Sequence, residues 1–107
     1  MSEFEVFQPR VVERARFAAE KMQKLDCFVS EGLLLGLNCF EPGQVQKVHR
    51  HDGADKFYLV LSGRATVRIG AEARSVGVGD LAIAPAGVEH GVESAEERTV
   101  MLVGMTR

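Results

Sequence analysis

The sequence predicts an all-β domain, a sandwich or barrel of short strands. Three observations predict it. Glycine is frequent, at 11 of 107 residues, and separates short apolar runs. Some of those runs alternate strictly: in "RATVRIG", Ala65, Val67 and Ile69 share one face and Arg64, Thr66 and Arg68 the other. Turn signals recur roughly every 6 to 12 residues, the spacing of sandwiches and barrels. The length suits one domain with one core, and an apolar content of 46% can fill it.

Each element follows in order. In "RVVERARFAAEKMQKL", Arg10 to Leu25, the residues Val11, Ala15, Ala18 and Met22 recur at spacings of three and four, and Pro9 suits a helix start. The chain from Glu20 also reads as strands joined by a turn, so a short helix at most is expected there. Residues 1–30 are accordingly an N-terminal extension packing on the barrel, and 31–107 the single barrel domain. "GLLLGLNCF" is a buried strand, "EPG" a turn, and "QVQKVHRH" a strand of alternating character. "DGAD" is a turn, and "KFYLVLSG" a strand apolar on both faces. "RATVRIG", "AEARSVGVGD", "LAIAPAGVEHGVES" and "ERTVMLVGMTR" supply the remaining strands, about eight to ten in all.

Several function classes are excluded. The net charge is −2, with no basic block or stripe, which argues against nucleic-acid binding. The N-terminal residues lack a basic region followed by an apolar run, so no signal peptide is read, and "GLLLGL" is far too short to span a membrane. Cys27 and Cys39 are read as free, partly buried thiols of a cytoplasmic protein. A zinc-ligand role for Cys39, ten residues before His49, has little to support it.

The chemistry lies in the histidines. His49 and His51 are two apart, and residues i and i+2 of a strand point to the same face. His90 follows the Pro/Gly turn of "PAGVEH" into another strand and completes a three-nitrogen face if that strand lies opposite. His-x-His alone also recurs by chance; the glycine and proline framework around it carries more weight. Gly43, five residues, His49-Arg50-His51, four residues, Lys56, six residues and Gly63 resemble the first cupin motif, G-x5-H-x-H-x3,4-E-x6-G. Gly79, five residues, Pro85-Ala86-Gly87, two residues, His90, three residues and Ser94 resemble the second, G-x5-P-x-G-x2-H-x3-N. The resemblance to small single-domain cupins spans Gly43 to Ser94. It implies a double-stranded β-helix, or jelly-roll, barrel with a divalent transition metal (zinc, iron, nickel, manganese or copper) on His49, His51 and His90.

Two positions depart from the pattern. Ser94 stands for the asparagine, a minor change. Lys56 stands for the glutamate and exchanges an anion for a cation. By the family's register Lys56, Tyr58 and Val60 face the site, and Asp55, Phe57, Leu59 and Leu61 face away. Three readings stand: three neutral histidines bind the metal with Lys56 nearby; a bulge turns Asp55 inward in place of the glutamate; or the site is metal-free and Lys56 binds an anion. Lys56 as a lysine snorkelling from the barrel mouth and Tyr58 as an inward core aromatic are the structural alternatives to catalytic roles. The expected function is a metal-dependent enzyme of dioxygenase, lyase or isomerase type on a small anionic or oxygenated molecule. In it Lys56 orients the substrate and Tyr58 donates a proton. A non-enzymatic metal or small-ligand binding module is the alternative, and a structural barrel with a vestigial site ranks last. The outward Phe57, Leu59 and Leu61 need cover from the N-terminal segment or a second subunit, so a homodimer is expected.

Overall fold

In a computed structural model, which describes residues 3–107, nine strands form two antiparallel sheets. They are β1 (Gln23–Val29), β2 (Leu33–Phe40), β3 (Gln46–His49), β4 (Lys56–Ser62), β5 (Arg64–Ile69), β6 (Glu72–Gly77), β7 (Leu81–Ala84), β8 (His90–Ala95) and β9 (Thr99–Thr106). One sheet runs β1-β2-β9-β4-β7, the other β3-β8-β5-β6. From β2 on, the chain passes repeatedly from one sheet to the other, the jelly-roll path expected of the motifs.

The short helix, at most, expected within Arg10–Leu25 is a single 3-10 turn, Val11–Arg14. Arg10, at its start, is left-handed and gives no side-chain cap, and Ala15 leaves the turn with extended backbone. From Gln23 a period of two replaces the helical one: Leu25 and Cys27 are covered by packing while Lys24 and Asp26 are exposed. This stretch pairs with β2 as a hairpin, Leu25 opposite Leu37, so the five-stranded sheet starts at Gln23.

Two apolar clusters hold the fold. Between the sheets lie Phe40, Tyr58, Val60, Ala65, Val67, Val92, Ala95, Met101 and Val103. The alternation of Ala65 and Val67 in β5 places both there. On the outer face of the five-stranded sheet, Cys27, Leu37, Cys39 and Val100 are covered by Val11, Val12, Ala15 and Phe17 of the N-terminal segment. Leu61, expected to need cover, packs in this cluster. The Arg98 guanidinium stacks over Phe17, 4.0 Å from the ring centre, and forks onto Glu41 at 2.8 and 2.9 Å, tying the segment to two turns.

Turn chemistry sets the strand ends. Gly43 and Gly79 adopt φ of 85° and 89°, the left-handed region their motif positions call for. Gly63, between β4 and β5, shares that conformation, and a Cβ there would meet the Arg98 carbonyl oxygen at 2.1 Å.

Candidate metal centre

The three histidines meet at one end of the barrel, by two local devices. β3 ends on His49, which lies directly opposite His90 at the start of β8. His51 is beyond the strand, so strand alternation alone does not place it. Its carbonyl oxygen accepts the Gly87 N–H at 2.8 Å, and this clamps the loop of the first motif onto the turn of the second. The ring centres are 4.3 Å apart for His49 and His90, 4.9 Å for His49 and His51, and 5.4 Å for His51 and His90. One ring nitrogen from each lies within 4.8 Å of the others. Three imidazoles so gathered could hold a metal ion.

The protonation states suit that role. The Nδ1 atoms of His49 and His90 lie 2.8 and 2.9 Å from the Lys47 and Val88 carbonyl oxygens. A carbonyl only accepts, so each Nδ1 carries a hydrogen, and in the neutral ring each Nε2 presents a bare lone pair. The His90 Nε2 is buried without a protein partner. Burial, then His49, Lys56 and Lys24, hold His51 below the usual histidine range; burial acts first on His90 too, whose value is likewise lowered. Both effects favour the neutral, ligating imidazole.

Lys56 opens β4 and is 6% exposed. The alternating burial of β4 turns Lys56, Tyr58 and Val60 inward. Asp55 faces elsewhere: its carboxylate accepts the Ala86 N–H at 2.9 Å, and its backbone is bonded twice to Thr106. The lysine, not the aspartate, lines the cleft beside His49 and His51. Among the described residues Lys56 forms no ion pair; its Nζ stands 4.9 Å from the centre of the Tyr58 ring. Burial, with a smaller contribution from Lys24, pulls the ammonium down to about 8.

Tyr58 is fully buried, and its hydroxyl donates to the Gln46 Oε1 at 2.5 Å. Burial pushes the phenol well above its ordinary value. Cys39 stands apart from the histidines, since β2 turns Asn38 and Phe40 inward and Cys39 out to the N-terminal segment. Both cysteines are free and buried, and burial raises both thiols.

The open cleft before the histidines measures about 1020 Å³. Its lining has a charge bias that the whole chain lacks: Lys21, Lys24, Lys47 and Lys56 against Asp26 alone. Two further residues, Asn38 and Gln46, are buried in it. Sequence reasoning passed over both. Strict alternation sets Gln46 opposite in facing to His49, but a bulge in β3 adds a residue against β8, pairing Gln46 with Val92 and His49 with His90. The two therefore face the barrel interior together.

A two-sheet jelly roll with three histidines gathered at one end defines a small barrel protein able to hold a metal ion. The cupin domain model matches residues 36–105, and the chain belongs to that family. Among solved structures it is similar to TT1209 from Thermus thermophilus, at 40% identity over 92% of this chain and 95% of that one, with a TM-score of 0.87. It also resembles an RmlC-like cupin from Desulfovibrio desulfuricans (23% identity, 95% and 97% covered, TM-score 0.85). KdgF from a Halomonas species aligns at 22% identity over 85% and 83%, with a TM-score of 0.77. These two likenesses concern the fold. Among curated proteins no match reaches significance. Among the described residues, no helix is long and apolar enough to cross a membrane.

Proposed function

We propose that this cupin binds a divalent first-row metal on His49, His51 and His90, and a small anionic molecule beside it. The observation that carries the proposal is the convergence of three ring nitrogens within 4.8 Å, two of them with lone pairs freed by Nδ1–H bonds to carbonyls. A bound metal would supply Lewis acidity and an anchor for oxygen ligands. Lys56 supports the anionic half. A buried ammonium without a carboxylate favours a ligand that brings the negative charge a glutamate would have supplied.

In the enzymatic form of this proposal, of dioxygenase, lyase or isomerase type, Lys56 orients the anion and Tyr58 donates a proton. A second form, a non-enzymatic binding module, is favoured by the state of Tyr58. Its proton is committed to Gln46, and burial opposes its ionisation. A cytoplasmic location and a homodimer complete the proposal, with 1–30 as an extension that lends β1 to the edge of a 31–107 barrel.

Elemental analysis and metal titration test the centre. Wild type purified without chelator and with added metal should retain about one equivalent per chain, and His51→Ala should lose it. Lys56→Glu should tighten metal binding and weaken binding of small carboxylates, by isothermal titration. A wild type that stays metal-free removes the proposal. Turnover by metal-loaded protein that Tyr58→Phe abolishes would select the enzyme.

A further inference from the structure

We propose that Gln46 and Asn38 form a second anchoring point in the cleft, and that the ligand is a small dicarboxylate rather than a simple monocarboxylate. This rests on the metal-and-anion function above and specifies its ligand class.

Among the described residues, three buried side-chain polar atoms lack a hydrogen-bond partner: Asn38 Nδ2, Gln46 Nε2 and His90 Nε2. All three belong to this one site. The histidine nitrogen is accounted for as a metal ligand. The two amides are not. Asn38 is 4% and Gln46 7% exposed, and both line the cleft that Lys56, His49 and His51 line. A buried N–H group left without an acceptor is costly, and folded proteins satisfy nearly all of them. Two such groups in one cleft point to acceptor atoms that arrive from outside the chain.

The Gln46 amide is held in place. The Tyr58 phenol has one partner, the Gln46 Oε1, and donates its proton there. That bond fixes the oxygen side of the amide and leaves its NH2 free. Tyr58 is itself locked: fully buried, 6.2 Å from the His90 ring, with the Lys56 Nζ 4.9 Å from its own ring centre. Gln46, Tyr58, His90 and Lys56 therefore make one connected group. Asn38 enters from the opposite sheet, on β2, across from Lys24 on β1.

A single carboxylate engaged by the metal and Lys56 has both of its oxygens committed there. A second carboxylate gives the amides acceptor oxygens. Four lysines against one aspartate in the lining suit two negative charges. Uncharged hydroxyl groups would leave that excess unanswered.

Isothermal titration of acetate, malonate and succinate, on zinc-loaded and zinc-free protein, tests the proposal. In wild type a dicarboxylate should bind at least about tenfold tighter than acetate. Gln46→Met and Asn38→Leu should each lower dicarboxylate affinity far more than acetate affinity; a purely structural role would shift both acids alike. Gln46→Glu and Asn38→Asp keep shape and replace the donor by an anion, so they should lose dicarboxylate binding more steeply, and they decide the matter if the apolar variants do not fold. Equal affinity for acetate and both dicarboxylates in wild type overturns the inference while the metal-and-anion function stands. Failure to bind any of zinc, iron(II), nickel, manganese or copper removes that function; a dicarboxylate preference in metal-free protein that the isosteric variants abolish would still support the amide anchor.

Discussion

Lys56 is a cation held out of water, without a carboxylate beside it, at the position where its family places an anion. Such a residue weakens the fold that contains it, and the cost depends on pH. Burial first, and Lys24 second, lower its folded-state value from 10.5 to about 8. Between those values the unfolded chain binds the proton more tightly than the folded one. Stability therefore rises with pH from about 8 to about 10.5, and below about 8 the folded protein bears the full penalty. Lys56→Met should stabilise the metal-free protein at pH 7 by roughly 3 kcal/mol at most and flatten that alkaline rise. Urea unfolding of both proteins at pH 7, 9 and 10.5 measures it; parallel curves would mean that the ammonium reaches water. The same variant should lose affinity for small carboxylates. The thiols behave more simply. Buried and shifted upward, Cys27 and Cys39 should resist alkylation in native protein at pH 8 and react on unfolding; rapid native labelling would refute their packing under the N-terminal segment.

Elements were legible in the sequence where the period was clean and the turns were marked. β5 alternates strictly and forms where its pattern lies, and β4 turns Lys56, Tyr58 and Val60 inward as its register implies. Two elements were harder to read. Over Arg10–Leu25 a helical stripe and a strand pattern overlap, and the pairing of Gln23–Val29 with β2 decides between them, a long-range contact that no local period reveals. In β3 the bulge between Gln46 and His49 inverts the facing that alternation assigns, so the amide stayed hidden although its neighbours were found. The histidines themselves were legible because glycine and proline fix the turns around them. Gly63 shows how strictly one such turn is set. Its φ of 85° and the Arg98 oxygen at 2.1 Å from any added Cβ leave no room for a side chain. Gly63→Ala should destabilise the protein by at least about 2 kcal/mol, measured by urea unfolding, while Gly53→Ala, with open space around it, should change little. An equal, small effect at both sites would show that the β4–β5 turn relaxes freely.

At the scale of the whole molecule, the five-stranded sheet has one apolar face too many. Its inner face packs against the second sheet, and part of its outer face lies under Val11, Val12, Ala15 and Phe17. That cover ends before the β4–β7 side. There Phe57, Gly104, Met105 and Leu33 floor a shallow apolar groove of about 360 Å³, with Leu81 and Ile83 56% and 55% exposed. The Phe57 ring lies flush against Gly104, where any Cβ would meet it at 2.1 Å, so the surface is flat as well as apolar. β7 is also the free edge of its sheet, and an open edge beside exposed apolar side chains invites pairing. A second copy of the chain satisfies both features at once, since it offers the same flat patch and the same edge. Wild type should therefore run as a dimer by light scattering at micromolar concentration. Leu81→Lys with Ile83→Lys should yield a monomer that keeps its metal content, because neither residue reaches the histidine cleft. A monomeric wild type would leave the groove without an occupant in this chain; a dimer that survives both substitutions would move the interface to another face.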